Sequence, residues 1–199
     1  DSGVIHTYSY AELLKNSSSL ALKAHSRPPA EPISLPLTDR TPKKAILASS
    51  YLLAGVPFSI SKATEAGKNL SGSHSGGRSP LDPVMITLET SGTTGKPKTV
   101  EIVASQIDHA VRNLPTPFHT AAGEYWGHAL PLHHVGGVSI LGRALSTGGG
   151  VAFAKDTSVE AIQELLTYVP LKGISLVATQ LQRLLKHSDS IERLSTQDA

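Results

Sequence analysis

Apolar and polar positions along this chain switch repeatedly between a period of two and a period of about 3.6, the marks of strands and helices. Ser9 and Glu12 stand at capping-box spacing, and Leu13, Leu14 and Leu20 follow on one helical stripe that fades before Pro28. Arg27–Pro36, rich in proline, reads as an extended loop. Pro42 suits a first helical turn, Ala45–Leu53 is apolar and helix-forming, Gly55 suits the stop, and Val56–Ile60 reads as a short strand. Asn69–Pro80 is a Gly/Ser-rich stretch with no periodicity, which predicts a flexible surface loop or linker.

Past that stretch the pattern becomes regular. Val84–Leu88 and Thr99–Val103 are predicted strands, and the turn between them is too short for a parallel crossover, so they should form a hairpin. Ile107, Ala110, Val111 and Leu114 mark an amphipathic helix capped near Ser105. Strands are then predicted at Glu124–Leu132, Gly150–Phe153 and Gly173–Val177. Helices are predicted at Gly136–Thr147, at Thr157–Val169 behind a capping box of Thr157 and Glu160, and at Thr179–Lys186. Alternation of this kind predicts an α/β fold, layered, with a largely parallel sheet and flanking helices.

Composition narrows the chemistry. With 199 residues and 39% hydrophobic content, the chain can bury a sizeable core in one or at most two domains. Its net charge is only +2, from 18 basic and 16 acidic residues, and no basic stripe is interleaved with aromatics, which argues against a nucleic-acid surface. Cysteine is absent, which excludes disulfides, thiolate zinc sites and a cysteine nucleophile. No apolar run approaches the roughly 20 residues of a membrane span, and no secretory signal pattern opens the chain. A cytoplasmic setting is the expectation. Starting at Asp1 rather than methionine, the chain reads as processed, trimmed or part of something longer.

The candidate chemistry centres on Thr90–Lys98, T-S-G-T-T-G-K-P-K. Holding phosphate requires backbone N–H groups that converge, and glycines permit that approach. Gly92 and Gly95 supply the freedom; Thr90, Ser91, Thr93 and Thr94 supply hydroxyls; Lys96 and Lys98 supply charge; Pro97 stiffens the exit. A polar hairpin turn with incidental lysines is the ordinary alternative. A Walker loop fails on spacing, since only Thr93 and Thr94 separate the glycines and proline follows Lys96. No Rossmann fingerprint surrounds the site, and no G-x-S-x-G elbow exists for a hydrolase.

The string resembles the signature of the adenylate-forming superfamily, T-S-G-[ST]-T-G-x-P-K-G, which includes acyl-CoA synthetases, peptide-synthetase adenylation domains and luciferases. Thr99 stands where glycine is usual. Three further segments match in order: Tyr8–Leu13 resembles the early Y-x-E-L element, Leu53–Pro57 the A-G-x-x-x-P element, and Pro131–Gly137 (P-L-H-H-V-G-G) the P-L-F-H-x-x-G segment beside the acyl pocket. The family's Y-G-x-T-E motif, ribose-binding aspartate and C-terminal catalytic lysine have no counterpart here. Residues 1–199 therefore resemble a partial N-terminal adenylation domain.

Within that superfamily, Pro131–Leu145 and the later S-L-V-A-T-Q-L-Q-R-L-L resemble o-succinylbenzoate–CoA ligases of menaquinone biosynthesis. The resemblance implies an AMP-forming carboxylate–CoA ligase that uses ATP, Mg2+ and CoA. It assigns the Thr90–Lys98 string to the phosphates, His134 to a catalytic and substrate-lining role, and Gly136, Gly137 and Arg143 to the acid. Another acyl- or aryl-CoA ligase, or a truncated non-catalytic nucleotide-binding homologue, remains open. Gly136 and Arg143 lie about two helical turns apart, hence on one face, and His134 would sit at that helix's positive end. An arginine on a helix is more often a solvated surface residue. On a strand, His133 and His134 would point to opposite faces, a poor metal pair; His109, His119, His128 and His187 read as structural or exposed. The expected partner is a small-molecule carboxylate. The oligomeric state is open, a homodimer among the options.

Overall fold

The computed structural model describes residues 15, 33–36, 48–52, 58–61, 82–90 and 98–186. The expected loop at Asn69–Pro80, His187 and most of the first predicted helix lie outside these residues; Lys15 is helical. The chain divides into two compact units, Asp1–His109 and Ala110–Ala199.

The first unit carries a four-stranded sheet, in the order β1 (Ile33–Pro36), β2 (Phe58–Ser61), β3 (Val84–Thr90), β4 (Lys98–Val103). The first three strands are parallel and β3–β4 is the antiparallel hairpin that the short turn required. Met85, Ile86, Thr87 and Leu88 are all buried, as expected for an inner strand covered on both faces. Phe58, Ile60, Tyr51 and Ala48 complete this core. The proline-rich segment is not all loop: its last four residues form β1, which pairs with β2 from Ile33↔Phe58 to Pro36↔Ser61. I-S-L-P alternates with the strand period, and proline is tolerated because β1 is the outermost strand among the described residues and Pro36 its last residue.

Helix α1 (Ala104–Arg112) follows β4 directly. Its N-terminus is not satisfied by Ser105 alone. The Asp82 carboxylate, from the approach to β3, accepts from the Ser105 backbone N–H at 2.8 Å and from its hydroxyl at 2.6 Å. Gln106 Oε1 accepts from Val103 N–H at 3.0 Å. These bonds hold the Asp82 carboxyl below its ordinary pKa of 3.8, the Ser105 hydroxyl contributing most.

The second unit is a parallel three-stranded sheet with β5 (Tyr125–His128) central between β6 (Gly150–Phe153) and β7 (Leu171–Ser175). Helix α2 (Val135–Thr147) joins β5 to β6, α3 (Val159–Tyr168) joins β6 to β7, and α4 (Ala178–Lys186) follows β7. The first crossover runs from the central strand β5 out to β6, and the second runs back in the opposite direction, from β6 past β5 to β7. Right-handed connections then put α2 and α3 on opposite faces. Ile162, Leu165 and Leu166 of α3 pack with Leu184 of α4, Ala129 and Ala154. Val138, Ile140, Leu141 and Ala144 are the buried stripe of α2.

Several boundaries differ from the sequence reading. Strand β5 ends at His128 rather than Leu132, where its pairing with Phe153 of β6 and Ser175 of β7 stops. Helix α3 begins at Val159, two residues later than Thr157: Ser158 is the cap, its Oγ accepting from Ala161 N–H at 3.2 Å, with Asp156 accepting from the Ser158 N–H at 2.8 Å. Strand β7 starts two residues before Gly173 and ends at Ser175. Period-two alternation fixes faces but not ends, and pairing with the short β5 sets them. No helix among the described residues is long and apolar enough to cross a membrane.

Candidate active site

In an open parallel sheet, ligands bind beyond the carboxyl ends of the strands where neighbouring connections diverge. The predicted acid-binding segment lies beyond the carboxyl end of the central strand β5: Ala129–His134 leaves β5, and Val135–Thr147 begins at once.

His134 is the N-cap residue of α2, with extended backbone and no side-chain cap bond, so its imidazole is left for other work at the helix's positive end. Its carbonyl accepts from Gly137 N–H at 2.9 Å, and its own N–H donates to Pro131 O at 3.2 Å. His133 and His134 do not point to opposite faces: the strand has ended, and their rings lie against each other with centroids 4.3 Å apart. Among the described residues, no cluster of three His, Cys, Asp or Glu could hold a metal.

The paired glycines have different physical reasons. A Cβ on Gly137 would stand 2.1 Å from Pro131 O, so only glycine lets the first turn of α2 close onto the preceding loop. A Cβ on Gly136 would meet only Leu130 Cδ1, at 3.4 Å. Below them, fully buried His128 donates from Nε2 to Gly137 O at 2.9 Å, since a carbonyl can only accept, and its ring lies 4.7 Å from that of Phe153. Buried Gln180 ties the loop from the other side: its Nε2 donates to Ala129 O at 2.9 Å while Oε1 accepts from Val177 N–H at 3.0 Å.

Arg143 is not a solvated helix residue. Its guanidinium carbon lies 5.2 Å from the centroid of the Trp126 ring, and Nη2 donates to Ser175 Oγ at 3.3 Å. The Trp126 indole N–H donates to the same Oγ at 2.9 Å. Arg143 Nε is buried without a hydrogen-bond partner, and burial pushes the guanidinium's pKa below the ordinary arginine range. A Cβ on Gly173 would stand 2.6 Å from the Trp126 ring, so that glycine leaves the space in which the indole lies. Phe118 flanks the same ring at 5.8 Å. Sequence reasoning singled out Arg143 and missed Trp126 and Ser175. Ser175 opens the S-L-V-A-T-Q-L segment already singled out.

Of the phosphate string, Thr90 and Lys98 are the described ends. They form the last register pair of the β3–β4 hairpin. Ser91, Gly92, Thr93, Thr94, Gly95 and Lys96 themselves lie outside the described residues. Thr99, where the motif usually has glycine, is an exposed ladder residue opposite Glu89, a place that asks for no unusual backbone.

The described residues thus carry a mixed sheet ending in an antiparallel hairpin and, in the other unit, a parallel sheet whose first crossover helix starts at a glycine pinch, an α/β architecture. The chain belongs to the AMP-binding enzyme family, whose profile matches residues 30–198. It is 30% identical over 187 residues to the 2-succinylbenzoate–CoA ligase of Listeria monocytogenes serotype 4b (strain F2365), a match covering 92% of this chain and 39% of that protein. Among solved structures, it is similar to Bacillus subtilis o-succinylbenzoate CoA synthetase in complex with the acyl-adenylate intermediate OSB-AMP, with a TM-score of 0.66, 21% identity, and coverage of 92% of this chain and 59% of that one. The same synthetase in complex with ATP and magnesium ion gives a TM-score of 0.66 and 20% identity, covering 92% of this chain and 47% of that one. The chain thus spans between 39% and 59% of the length of these relatives.

Proposed function

We propose that the protein carrying this chain is an AMP-forming carboxylate–CoA ligase whose acid is o-succinylbenzoate, and that these residues form its phosphate loop and one wall of its acid pocket. ATP, taken with Mg2+, and CoA are the co-substrates; a cytoplasmic location suits them. The substrate carboxylate attacks the α-phosphorus of ATP, giving an acyl-adenylate and releasing pyrophosphate. The CoA thiol then attacks the acyl carbon, AMP leaves, and the thiol proton goes to solvent. A carboxylate with a pKa of about 4 is already ionised at neutral pH, so the first step needs alignment and charge stabilisation rather than a base.

Thr90–Lys98 would hold the outer phosphates and release them as pyrophosphate. His134, at the positive end of α2, lines the acid with Gly136 and Gly137 and faces charge that develops there. One observation carries the choice of acid: the half-buried Arg143 guanidinium has no carboxylate partner among the described residues. A desolvated cation on a pocket wall is an unbalanced charge that an anionic substrate group offsets, and o-succinylbenzoate carries a second carboxylate for it.

The test is pyrophosphate release across a panel of acids by the full-length protein. o-Succinylbenzoate should be preferred over mono-acids. Arg143→Ala should raise its KM about 10- to 100-fold, the loss of a charge-assisted hydrogen bond, while sparing the KM for ATP. An unchanged KM for the acid would remove the assignment.

A further inference from the structure

We infer that His128 is a positioning residue for the adenylation step: its buried imidazole fixes the first turn of α2 and, through that turn, the place of the His134 ring. The inference rests on the ligase reading and deepens it.

His128 is the last residue of β5 and is fully buried. Burying an imidazole is unfavourable unless it is hydrogen-bonded, and an apolar side chain would serve packing at less cost. What the histidine adds is one directed bond, from Nε2–H to Gly137 O at 2.9 Å. Its ends are nine residues apart, so it spans the whole connection from Ala129 to Gly136 and fastens the central strand directly to the helix start. The ring is held in that pose by Phe153, its register partner on β6, with centroids 4.7 Å apart. Gly137 is the residue of α2 where such a bond reaches furthest. Its N–H and that of Val138 both donate to His134 O, at 2.9 and 3.1 Å, and His134 N–H donates to Pro131 O at 3.2 Å. Gly137 itself is pressed against the same Pro131 oxygen. Fixing Gly137 therefore fixes the His134 backbone. With no side-chain cap bond, the His134 imidazole stands where that backbone and the neighbouring His133 ring put it. Gln180 secures the other end of the connection through Ala129 O at 2.9 Å. Stabilising charge that develops in a reaction depends on placement before the reaction begins, and a shift of about 1 Å costs up to roughly a hundredfold in rate.

Pyrophosphate release by the full-length protein tests this, at a temperature where every variant is fully folded. His128→Leu should lower kcat about tenfold or more, while the KM for ATP and the KM for the acid each move less than about twofold. His128→Gln, whose amide nitrogen takes the place of Nε2, should recover most of the loss. In a His134→Ala background, His128→Leu should add little, because the ring it places is gone. Where His128→Leu yields too little folded protein, His128→Phe keeps a ring of similar size without the donor and should show the same loss. An unchanged kcat, no recovery in His128→Gln, or a full loss in the His134→Ala background would overturn the positioning role. If the wild-type protein releases no pyrophosphate with any acid, the ligase reading itself fails. The inference is then read from hydrogen exchange of the Gly137 and Val138 amides, whose bonds to His134 O close the first turn. Both should exchange about five- to tenfold faster in His128→Leu than in wild type, the worth of roughly one net hydrogen bond, and near the wild-type rate in His128→Gln. Equal rates in all three proteins overturn the inference.

Discussion

At Gly137 the cost of a single methyl group can be located to one atom. Alanine there would drive its Cβ into a backbone oxygen of Pro131 at 2.1 Å, and a backbone atom cannot swing aside as a side-chain tip can. The first turn of α2 must shift instead. Gly137→Ala should destabilise the protein by about 1–3 kcal/mol by denaturant unfolding, as overpacked sites do, and should raise the KM for the acid. Gly136→Ala, with its nearest contact at 3.4 Å, should unfold within about 0.5 kcal/mol of wild type. Equal losses at the two positions would contradict this account. From the sequence the glycines were visible only as a pair, because the atom that separates their roles belongs to the loop before them. The same holds for Arg143. Its partners lie 32 residues away at Ser175 and, through that oxygen, at Trp126, which is 49 residues from Ser175. No local window contains all three, and only the family resemblance lifted Arg143 above an ordinary surface arginine.

Among the elements, helices α1 to α4 were placed from the sequence to within two residues, since each carries an apolar stripe. Caps were harder. Helix α3 is capped by Ser158, a neighbour of the expected Thr157, and α1 draws its cap from Asp82, 23 residues upstream of Ser105. Ser158→Ala should cost about 1 kcal/mol, the usual worth of an N-cap, measured by chemical denaturation. The Asp82 cap gives a pH signature whose sign follows from the lowered carboxyl. Its stabilising contribution is present above the ordinary pKa of 3.8 and is lost as pH falls through the lower folded value. Thermal melts on either side of that window should show less acid sensitivity in Asp82→Asn, together with a lower melting point at neutral pH. A mutant as acid-sensitive as wild type would refute the assignment. Strands were read less well than helices. Four-residue strands such as β1 and β5 give too few alternations to fix an end, and partner strands supply what the alternation lacks.

For the whole chain, α/β layering was legible from the order of periods, and the hairpin from the shortness of its turn. The division into two sheets was not, because a strand's sheet membership is a matter of partners distant in sequence. In the second unit, Ile162 is fully buried where α3 meets α4. Ile162→Ala should cost about 2–5 kcal/mol in denaturant unfolding, with the cavity left by its side chain adding to the lost transfer energy. A loss below 1 kcal/mol would mean that this helix pair closes over the gap.

The strand order β6–β5–β7 also carries a schedule. During synthesis the middle strand emerges first and both of its partners later, so β5 leaves the ribosome with two bare edges. One is covered when β6 arrives and the other only when β7 has been made. Until then the nascent chain displays a hydrogen-bonding edge that a neighbouring chain on the same message could pair with. Translation that pauses while β5 and β6 have emerged and β7 has not should therefore produce more aggregate than a pause after β7 and α4 have emerged. Codon speed across that interval becomes a determinant of yield.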